Sequence, residues 1–213
     1  MTGRVAITPE GFEALYRRAP DPWNTLTSAY EATKRSMLLR ACGARPRARG
    51  LELACGIGNN TGALARRCLR LDALDAAPTA LAQAAIRVAD ERVTFREARL
   101  PAGLPAGPFD LVVAAEIVYY LDREDADRLA ARVRADLAPG GRIVVLHHTV
   151  PFHDTAQHPR LAHERFTRLV AEGWPIRHAQ HGRWRLSVAD RPRSAGRLPA
   201  RRAALNAGVG RSM

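Results

Sequence analysis

The sequence predicts an α/β fold whose centre is a mostly parallel, seven-stranded sheet covered by helices on both faces. Short apolar runs alternate with segments of roughly ten to fifteen residues that have helical periodicity, which is typical of β-α-β units. Two of these runs, 111–114 and 143–146, are apolar at every position, as expected of strands that are buried on both faces. The 213 residues, 46% of them hydrophobic, are enough to bury such a core.

Proline, glycine and polar residues mark the ends of the predicted elements. Two helices come first, within 12–22 and over 28–42, and the sheet follows. The predicted strands are 51–55, 69–74, 93–96, 109–115, 142–146, 174–178 and 184–189. The predicted helices between them are 60–67, 78–89, 122–137 and 161–171. We therefore divide the chain into an N-terminal helical lid (1–48), a sheet domain (49–190) and a disordered basic tail (191–213).

The formal net charge of +12 raises the question of a nucleic-acid partner. Half of this charge lies after Asp190, where six arginines occur without an acid. Because no aromatic residue alternates with these arginines, a solvated tail is the favoured interpretation, and nucleic acid is an alternative partner. No apolar run approaches the ~20 residues that cross a bilayer, and the N-terminus lacks a signal pattern. We therefore expect a cytoplasmic protein without a membrane partner.

A glycine turn follows the first predicted strand and is the strongest functional signal in the chain. Gly56 and Gly58 remove side chains where the backbone must turn and approach a ligand. Asp75 ends the second strand nineteen residues beyond Gly56, a distance at which an acid can reach the hydroxyls of a ribose held over the turn. No Gly-Lys-Ser/Thr sequence follows, which excludes a P-loop, and Thr61 stands where a dinucleotide site would have its third glycine. These features predict a nucleoside-binding site.

The turn and its surroundings resemble the class I S-adenosylmethionine-dependent methyltransferases over about residues 50–150. The resemblance is carried by the acid that ends the second strand and by two motifs, Glu52-x-x-Cys55-Gly56-x-Gly58-x-x-Thr61-x-x-Leu64 and Leu137-x-Pro139-Gly140-Gly141. It implies a Rossmann-like fold and S-adenosylmethionine as cofactor, with S-adenosylhomocysteine as product. It also implies that Glu52 helps to bind the ammonium group of the cofactor and Asp75 its ribose hydroxyls. The alternatives are that Glu52 supports the turn electrostatically and that Asp75 caps the next helix.

The predicted cofactor-binding residues come from the turn, from the ends of neighbouring strands and from the N-terminal helices. They are Trp23, Tyr30, Lys34, Glu52, Ala54, Cys55, Gly56, Gly58, Asp75, Ala76, Ala98, Arg99 and Glu116. Arg99 departs from the family pattern, because many members carry an acid there that accepts a hydrogen bond from the adenine amino group, and an arginine cannot accept one. We expect backbone groups at Ala98 and Arg99, or a displaced Glu97, to hold the adenine instead.

A narrower resemblance links most of residues 12–190 to the nodulation-protein-S-like methyltransferases. Two segments carry it, Phe12-Glu13-x-x-Tyr16…Asp21-Pro22-Trp23…Ser28-x-Tyr30-Glu31-x-x-Lys34-Arg35 and Phe109-Asp110-Leu111-Val112-Val113…Glu116-Ile117-Val118-Tyr119-Tyr120-Leu121. The best-known reaction of that family is methyl transfer to a free amine on a glucosamine unit of a chitin-like oligosaccharide. The resemblance therefore implies a small-molecule or glycan acceptor, with an amine favoured.

The N-terminal helices are expected to cover the cofactor. Trp23 and Tyr30 could close over it as a lid, or could simply staple the helices together. Lys34 or Arg35 could pair with the carboxylate of the methionine part, and a solvated charge is the alternative for either residue.

The predicted catalytic residues follow the fourth and fifth strands. Glu116 lies at the carboxyl end of the fourth strand, where it could orient an acceptor amine and take its proton. Of Tyr119 and Tyr120, we expect one to pack in the core and one to flank the transferring methyl group. His147 or His148 could act as a general base.

No metal site is predicted, because the histidines after the fifth strand match no recognised ligand spacing. Three alternatives to an amine methyltransferase stay open: a small-molecule O-methyltransferase, a nucleic-acid-modifying enzyme that uses the basic tail, and a non-catalytic protein that binds S-adenosylmethionine.

Overall fold

A seven-stranded sheet lies at the centre of residues 6–193, the part of the chain that this computed structural model describes. In chain order, the strands are β1 (Arg47–Leu53), β2 (Cys68–Asp75), β3 (Val93–Glu97), β4 (Phe109–Ala115), β5 (Leu137–His148), β6 (Ile176–His181) and β7 (Trp184–Asp190). Their spatial order is β3-β2-β1-β4-β5-β7-β6. The first five strands run parallel, and β6 and β7 form an antiparallel hairpin whose β7 pairs with β5. The predicted mostly parallel, seven-stranded sheet is confirmed.

Helices cover both faces of the sheet. They are α1 (Pro9–Arg18), α2 (Ala29–Cys42), α3 (Thr61–Ala65), α4 (Pro78–Val88), α5 (Arg123–Asp136) and α6 (Pro159–Val170), and a 3₁₀ turn follows β4 at Val118–Tyr120. Alternate residues of β4 supply the two core layers, because successive side chains of a strand point to opposite faces. Leu111 packs in one layer with Leu38 of α2, while Val112 packs in the other with Phe166 of α6.

The first helix lies earlier than predicted. It spans Pro9–Arg18, whereas the pattern placed it within 12–22. Thr8 fixes its start, since the hydroxyl of this residue accepts a hydrogen bond of 3.2 Å from the Gly11 N–H. The helix ends just before Pro20, as the restriction on residues that precede proline requires.

The fifth strand is longer than predicted. It begins at Leu137 and includes residues 139–141, which we expected to form the loop that ends α5. Pairing with β4 is continuous on either side of a register shift between Phe109 and Leu111. The proline and glycines therefore form an irregular start of β5 instead of a separate loop.

The segment before β1, which corresponds to the predicted lid, is bonded to the rest of the fold at several points. The Ile7 N–H donates to the Asp154 carbonyl oxygen over 3.0 Å. The Glu13 carboxylate accepts hydrogen bonds from the backbone N–H (3.0 Å) and the hydroxyl (2.6 Å) of Thr79, which lies at the start of α4. These bonds hold α1 against the loops at the carboxyl ends of the strands.

Only three residues of the predicted basic tail, 191–193, are described, and the first of them is bonded to β5. Arg191 exchanges backbone hydrogen bonds with Gly140 (2.9 Å) and Gly141 (2.8 Å). The remainder, 194–213, lies outside the described residues, as do residues 1–5. Within 6–193, every helix is too short or too polar to span a bilayer.

Candidate active site

A cavity of about 520 Å³ opens at the carboxyl ends of the parallel strands. It lies where β1 and β4 are neighbours and the strand order reverses, which is the usual place for a ligand in an open α/β sheet. The predicted site residues that line it are Trp23, Lys34, Ala54, Cys55, Gly56, Asp75, Ala76, Ala98, Arg99, Glu116, Tyr119 and His148. Four predicted residues are not part of its lining, namely Tyr30, Glu52, Gly58 and His147.

The glycine turn after β1 is held by Asp75. One carboxylate oxygen of Asp75 accepts a hydrogen bond of 2.8 Å from the Gly56 N–H, and the other accepts one of 3.0 Å from the Ala77 N–H at the start of α4. Burial raises the pKa of the Asp75 carboxyl, although these backbone hydrogen bonds oppose the rise. The side chain therefore ties the turn to the next helix while it also faces the cavity.

The two glycines of the turn have different neighbours. Gly56 has φ +54°, and a Cβ on it would lie 2.9 Å from the Tyr16 hydroxyl, so α1 rests directly on the turn. Gly58 has φ +82°, and a Cβ there would lie 3.1 Å from the side chains of both Ala84 and Val88. Gly58 thus allows α4 to approach the turn and is not part of the cavity lining. Tyr16 was not among the predicted site residues, yet it lines the cavity.

Glu52 is buried beneath the turn. Its side chain accepts a hydrogen bond of 2.6 Å from the Thr61 hydroxyl at the start of α3. Burial raises the pKa of the carboxyl to about 7, because the hydrogen bond from Thr61 only partly offsets the loss of solvent. The side chain thus joins the end of β1 to the start of α3 and lies outside the cavity lining.

Glu116 is the centre of the polar part of the cavity. It follows β4 with φ +54°, a conformation that is uncommon for a residue with a side chain and is frequent at functional sites. Its carboxylate accepts hydrogen bonds from the Tyr119 hydroxyl (2.6 Å) and from the backbone N–H of His148 (2.9 Å), and it lies 2.7 Å from the Lys34 Nζ. Burial works to raise the pKa of this carboxyl, but the hydrogen bond from His148 and the charge of Lys34 outweigh it and hold the pKa well below its usual range.

The ionised carboxylate of Glu116 determines which nitrogen of the His148 ring carries the proton. The Nδ1 of His148 lies 2.9 Å from a carboxylate oxygen of Glu116, and an ionised carboxylate can only accept a hydrogen bond. In the neutral form of the imidazole the ring proton is therefore on Nδ1, and Nε2 carries a lone pair. Nε2 lies 3.4 Å from the Tyr30 hydroxyl, which places Tyr30 at the edge of the site although it is not part of the lining.

Lys34 is fixed between two carboxylates. Its Nζ lies 2.8 Å from Glu31 and 2.7 Å from Glu116, and the side chain is almost fully buried. Burial lowers the pKa of Lys34, but the two acids reverse this and raise it. Arg35 also lines the cavity and donates a hydrogen bond of 2.6 Å to the Asn59 side chain.

His147 has a different environment from its neighbour. It is fully buried, its Nε2 accepts a hydrogen bond of 3.3 Å from the Val118 N–H, and burial lowers its pKa to about 4. Because it does not reach the cavity, we do not assign it a role as base. Among the described residues, no group of three or more His, Cys, Asp or Glu side chains is arranged to hold a metal.

Aromatic side chains form one wall of the cavity. The ring centroid of Tyr120 lies 4.9 Å from that of Phe12 and 4.6 Å from that of Tyr119, and Tyr119 lies 5.3 Å from Phe152. Tyr119 is buried against Glu116, and Tyr120 is half-buried. Phe12 and Phe152 were not predicted as site residues, because no local pattern indicates that the N-terminal helix and the loop after β5 meet here.

Arg99 lies at the edge of the cavity, beside Ala98. Its guanidinium forms an ion pair with Glu10 of α1. The arginine that replaces the expected acid therefore connects the loop after β3 with the N-terminal helix.

Comparisons with known proteins agree with this architecture. Residues 51–141 match the family described as "Methyltransferase domain". Nodulation protein S of Sinorhizobium fredii (strain NBRC 101917 / NGR234) is 33% identical over 138 residues, which are 62% of this chain and 64% of that protein. The chain thus matches slightly less than two thirds of the length of this relative.

Solved structures show the same fold. N-methyltransferase NodS from Bradyrhizobium japonicum WM9 in complex with S-adenosyl-L-homocysteine is 24% identical, with a TM-score of 0.74 over 87% of this chain and 99% of that one. A putative methyltransferase from Pseudomonas syringae is 28% identical, with a TM-score of 0.64 over 77% of this chain and 100% of that one. Both resemblances inferred from the sequence are confirmed. Residues 51–141 match the methyltransferase domain family, nodulation protein S is similar in sequence, and the chain has the fold of the class I S-adenosylmethionine-dependent methyltransferases.

Proposed function

We propose that this protein transfers a methyl group from S-adenosylmethionine to an amine of a small-molecule or glycan acceptor. The observation that carries the proposal is the bonded pair of Glu116 and His148, which faces the cavity at the carboxyl ends of β4 and β5. The name of the NodS relative, an N-methyltransferase, supports an amine as the acceptor.

The turn after β1 and the ends of β2 and β3 have the groups that the cofactor requires. Ala54, Cys55 and Gly56 offer backbone groups to its methionine part, and Asp75 with Ala76 offers a carboxylate and backbone to its ribose. The adenine would lie beside Ala98 and Arg99. Because Arg99 is engaged by Glu10, backbone groups are the better candidates to bind the adenine amino group.

Glu116 acts, in this proposal, by holding His148. A carboxylate with a lowered pKa is a poor proton acceptor, but it fixes the imidazole so that the lone pair of Nε2, which the Tyr30 hydroxyl approaches to 3.4 Å, can accept a proton. S-adenosylmethionine supplies an electrophilic methyl group. The lone pair of the neutral acceptor nitrogen forms the new bond to the methyl carbon as the carbon–sulfur bond breaks and its electron pair goes to sulfur. The proton that the nitrogen loses passes to Nε2 of His148.

A hydroxyl acceptor is the second candidate, and the same pair favours it. A hydroxyl group needs a base more than an amine does, and His148 in this tautomer could serve both. The hydrogen bond between Glu116 and His148 also affects how the activity of a Glu116 variant is interpreted. Glu116→Gln removes the charge that holds His148 and replaces one acceptor oxygen by a donor, so loss of activity in that variant does not by itself distinguish an amine from a hydroxyl acceptor.

The test has two stages. Calorimetry should detect binding of S-adenosylhomocysteine, and absence of binding would reject the proposal. A labelled-methyl transfer screen over amino sugars, deacetylated chitin oligomers, simple amines and phenols should then identify the acceptor class. With that acceptor, His148→Ala should lower kcat by roughly 10²–10⁴ while the Kd for S-adenosylhomocysteine changes little. His181→Phe, on the exposed strand β6, is the matched control.

A further inference from the structure

Behind the site, a row of hydrogen-bonded side chains crosses the molecule from the 3₁₀ turn to the edge strand β6. The Val118 N–H donates to Nε2 of His147 over 3.3 Å, and Nδ1 of His147 lies 3.0 Å from Nδ1 of His163 on α6. Nε2 of His163 lies 2.7 Å from the Ser187 hydroxyl, which lies 2.7 Å from Nδ1 of His178. We call these residues the histidine row.

The direction of every bond in the histidine row follows from its first member. A backbone N–H can only donate, so Nε2 of His147 carries a lone pair and, in a neutral ring, the proton is on Nδ1. His147 therefore donates to Nδ1 of His163, whose own proton must be on Nε2 and is donated to the Ser187 hydroxyl oxygen. The Ser187 hydroxyl then donates to Nδ1 of His178.

The neutral state of the inner rings agrees with their burial. His147 and His163 are 0% exposed and Ser187 is 1% exposed. Burial lowers the pKa of His147 to about 4 and that of His163 to about 2. All the donors and acceptors between Val118 and the exposed His178 are paired, so this is a complete network and not a set of isolated contacts.

The row ends on the turn that carries Tyr119. The His147 ring packs edge-on against the Tyr119 ring, with 5.4 Å between the centroids. On its other side, the Tyr119 hydroxyl donates to Glu116. His147 thus holds both the Val118 backbone and the Tyr119 ring, and these two contacts fix the position of Tyr119 relative to Glu116.

We propose that His163 is a positioning residue for the methyl-transfer site: through His147, it fixes the turn Val118–Tyr120 and so holds Tyr119 against Glu116. The expected effect on methyl transfer rests on the proposed function. The directions of the hydrogen bonds in the histidine row do not depend on it. His163 is not part of the cavity lining, and its hydrogen-bonded connection to the turn runs through His147.

The first test reads the tautomers in the unmodified protein. Long-range ¹H–¹⁵N NMR of histidine-labelled protein should show a proton on Nδ1 of His147 and on Nε2 of both His163 and His178. Finding the Nε2–H form of His147, or a charged His163 at neutral pH, would overturn the proposal. The measurement needs no cofactor or acceptor, so it stands even if the proposed function fails.

The second test breaks the row from its middle. His163→Phe should increase the hydrogen-exchange rate of the Val118 amide at least tenfold and lower kcat, with the Kd for S-adenosylhomocysteine unchanged. His163→Gln, which keeps an acceptor oxygen and an N–H donor, should restore most of both losses.

Two further variants complete this test. Ser187→Ala interrupts the row with a smaller change to the core and should act in the same direction as His163→Phe, whereas His181→Phe lies outside the row and should have no effect. If Val118 exchange were the same in His163→Phe, Ser187→Ala and the unmodified protein, the positioning role would be excluded. If exchange responded but no methyl transfer could be found in any of them, the proposed function would fail and the structural role would stand.

Discussion

The Nζ of Lys34, in the second helix, lies 2.7 Å from the carboxylate of Glu116 at the end of the fourth strand. Lys34 is the one lysine in a chain whose other basic residues are arginines. The contact joins the second helix to the central acid of the site, and the charge of Lys34 contributes, with the hydrogen bond from His148, to the lowered pKa of Glu116. Packing of the second helix is therefore part of how the site forms.

Lys34→Met should destabilise the fold by roughly 2–3 kcal/mol, because it leaves two carboxylates near each other without their shared cation. Urea unfolding would measure the loss. Adding Glu116→Gln should recover part of it, giving a coupling energy of about 1 kcal/mol or more in the double-mutant cycle.

The control for this pair is a surface ion pair of similar length. Arg17 lies 2.6 Å from Glu13 but is largely exposed, so Arg17→Met should cost no more than about 0.5 kcal/mol. Equal losses for Lys34→Met and Arg17→Met would mean that burial of the Lys34 contact adds nothing.

Asp75→Ala should weaken binding of S-adenosylhomocysteine by roughly tenfold or more, since it removes both the carboxylate that faces the cavity and the acceptor that holds the Gly56 N–H. Calorimetry provides the measurement. Asp72→Ala is the matched control on the same strand: Asp72 is buried and pairs with Arg49 and Arg96, outside the cavity lining. It should reduce stability and leave the Kd unchanged, and an equal loss of affinity in both variants would contradict the assignment of Asp75.

The sequence predicted those parts of the site that depend on local pattern. The apolar runs and the spacing of the glycines were enough for the sheet, the turn and the position of Asp75. The pairing of Lys34 with Glu116 could not be predicted, because it depends on where α2 packs across the sheet.

His147 and His148 show a second limit. Adjacent residues of a strand point to opposite faces, so only one of them can reach the cavity. The sequence does not indicate which of the two residues faces the cavity, because both lie at the polar end of an otherwise apolar run. The structure assigns His148 to the cavity and His147 to the core.

Gly56→Ala and Gly62→Ala should change stability in opposite directions. At Gly56, φ is +54° and the new Cβ would lie 2.9 Å from the Tyr16 hydroxyl, so we expect a loss of roughly 1–3 kcal/mol. Gly62 is helical, and its Cβ would meet Val88 at an ordinary 3.8 Å, so alanine should stabilise by about 0.5–1 kcal/mol. Thermal unfolding of the two variants measures both changes in stability. Destabilisation by Gly62→Ala would show that the contact with Val88 does not explain the effect of a Cβ at this position.

Glu52 should make stability fall as the pH rises through the neutral range. Its carboxyl has an ordinary value of 4.5 but a pKa of about 7 in the folded protein, because it is buried. Between these values the folded state keeps the proton while the unfolded state has lost it. The stabilisation is therefore complete below pH 4.5 and lost as the pH rises through 7, by roughly 3–3.5 kcal/mol in total.

Glu52→Gln removes this titration and keeps the shape of the side chain. The difference in unfolding free energy between Glu52→Gln and the unmodified protein should therefore shift in favour of the variant by roughly 2–3 kcal/mol between pH 5 and pH 8. Urea unfolding at several pH values measures it, and all other titrating groups cancel because they are common to both proteins. Parallel stability curves would show that Glu52 is already ionised in the folded state, in which case the negative charge that the cofactor ammonium would require is present beneath the turn before any ligand binds.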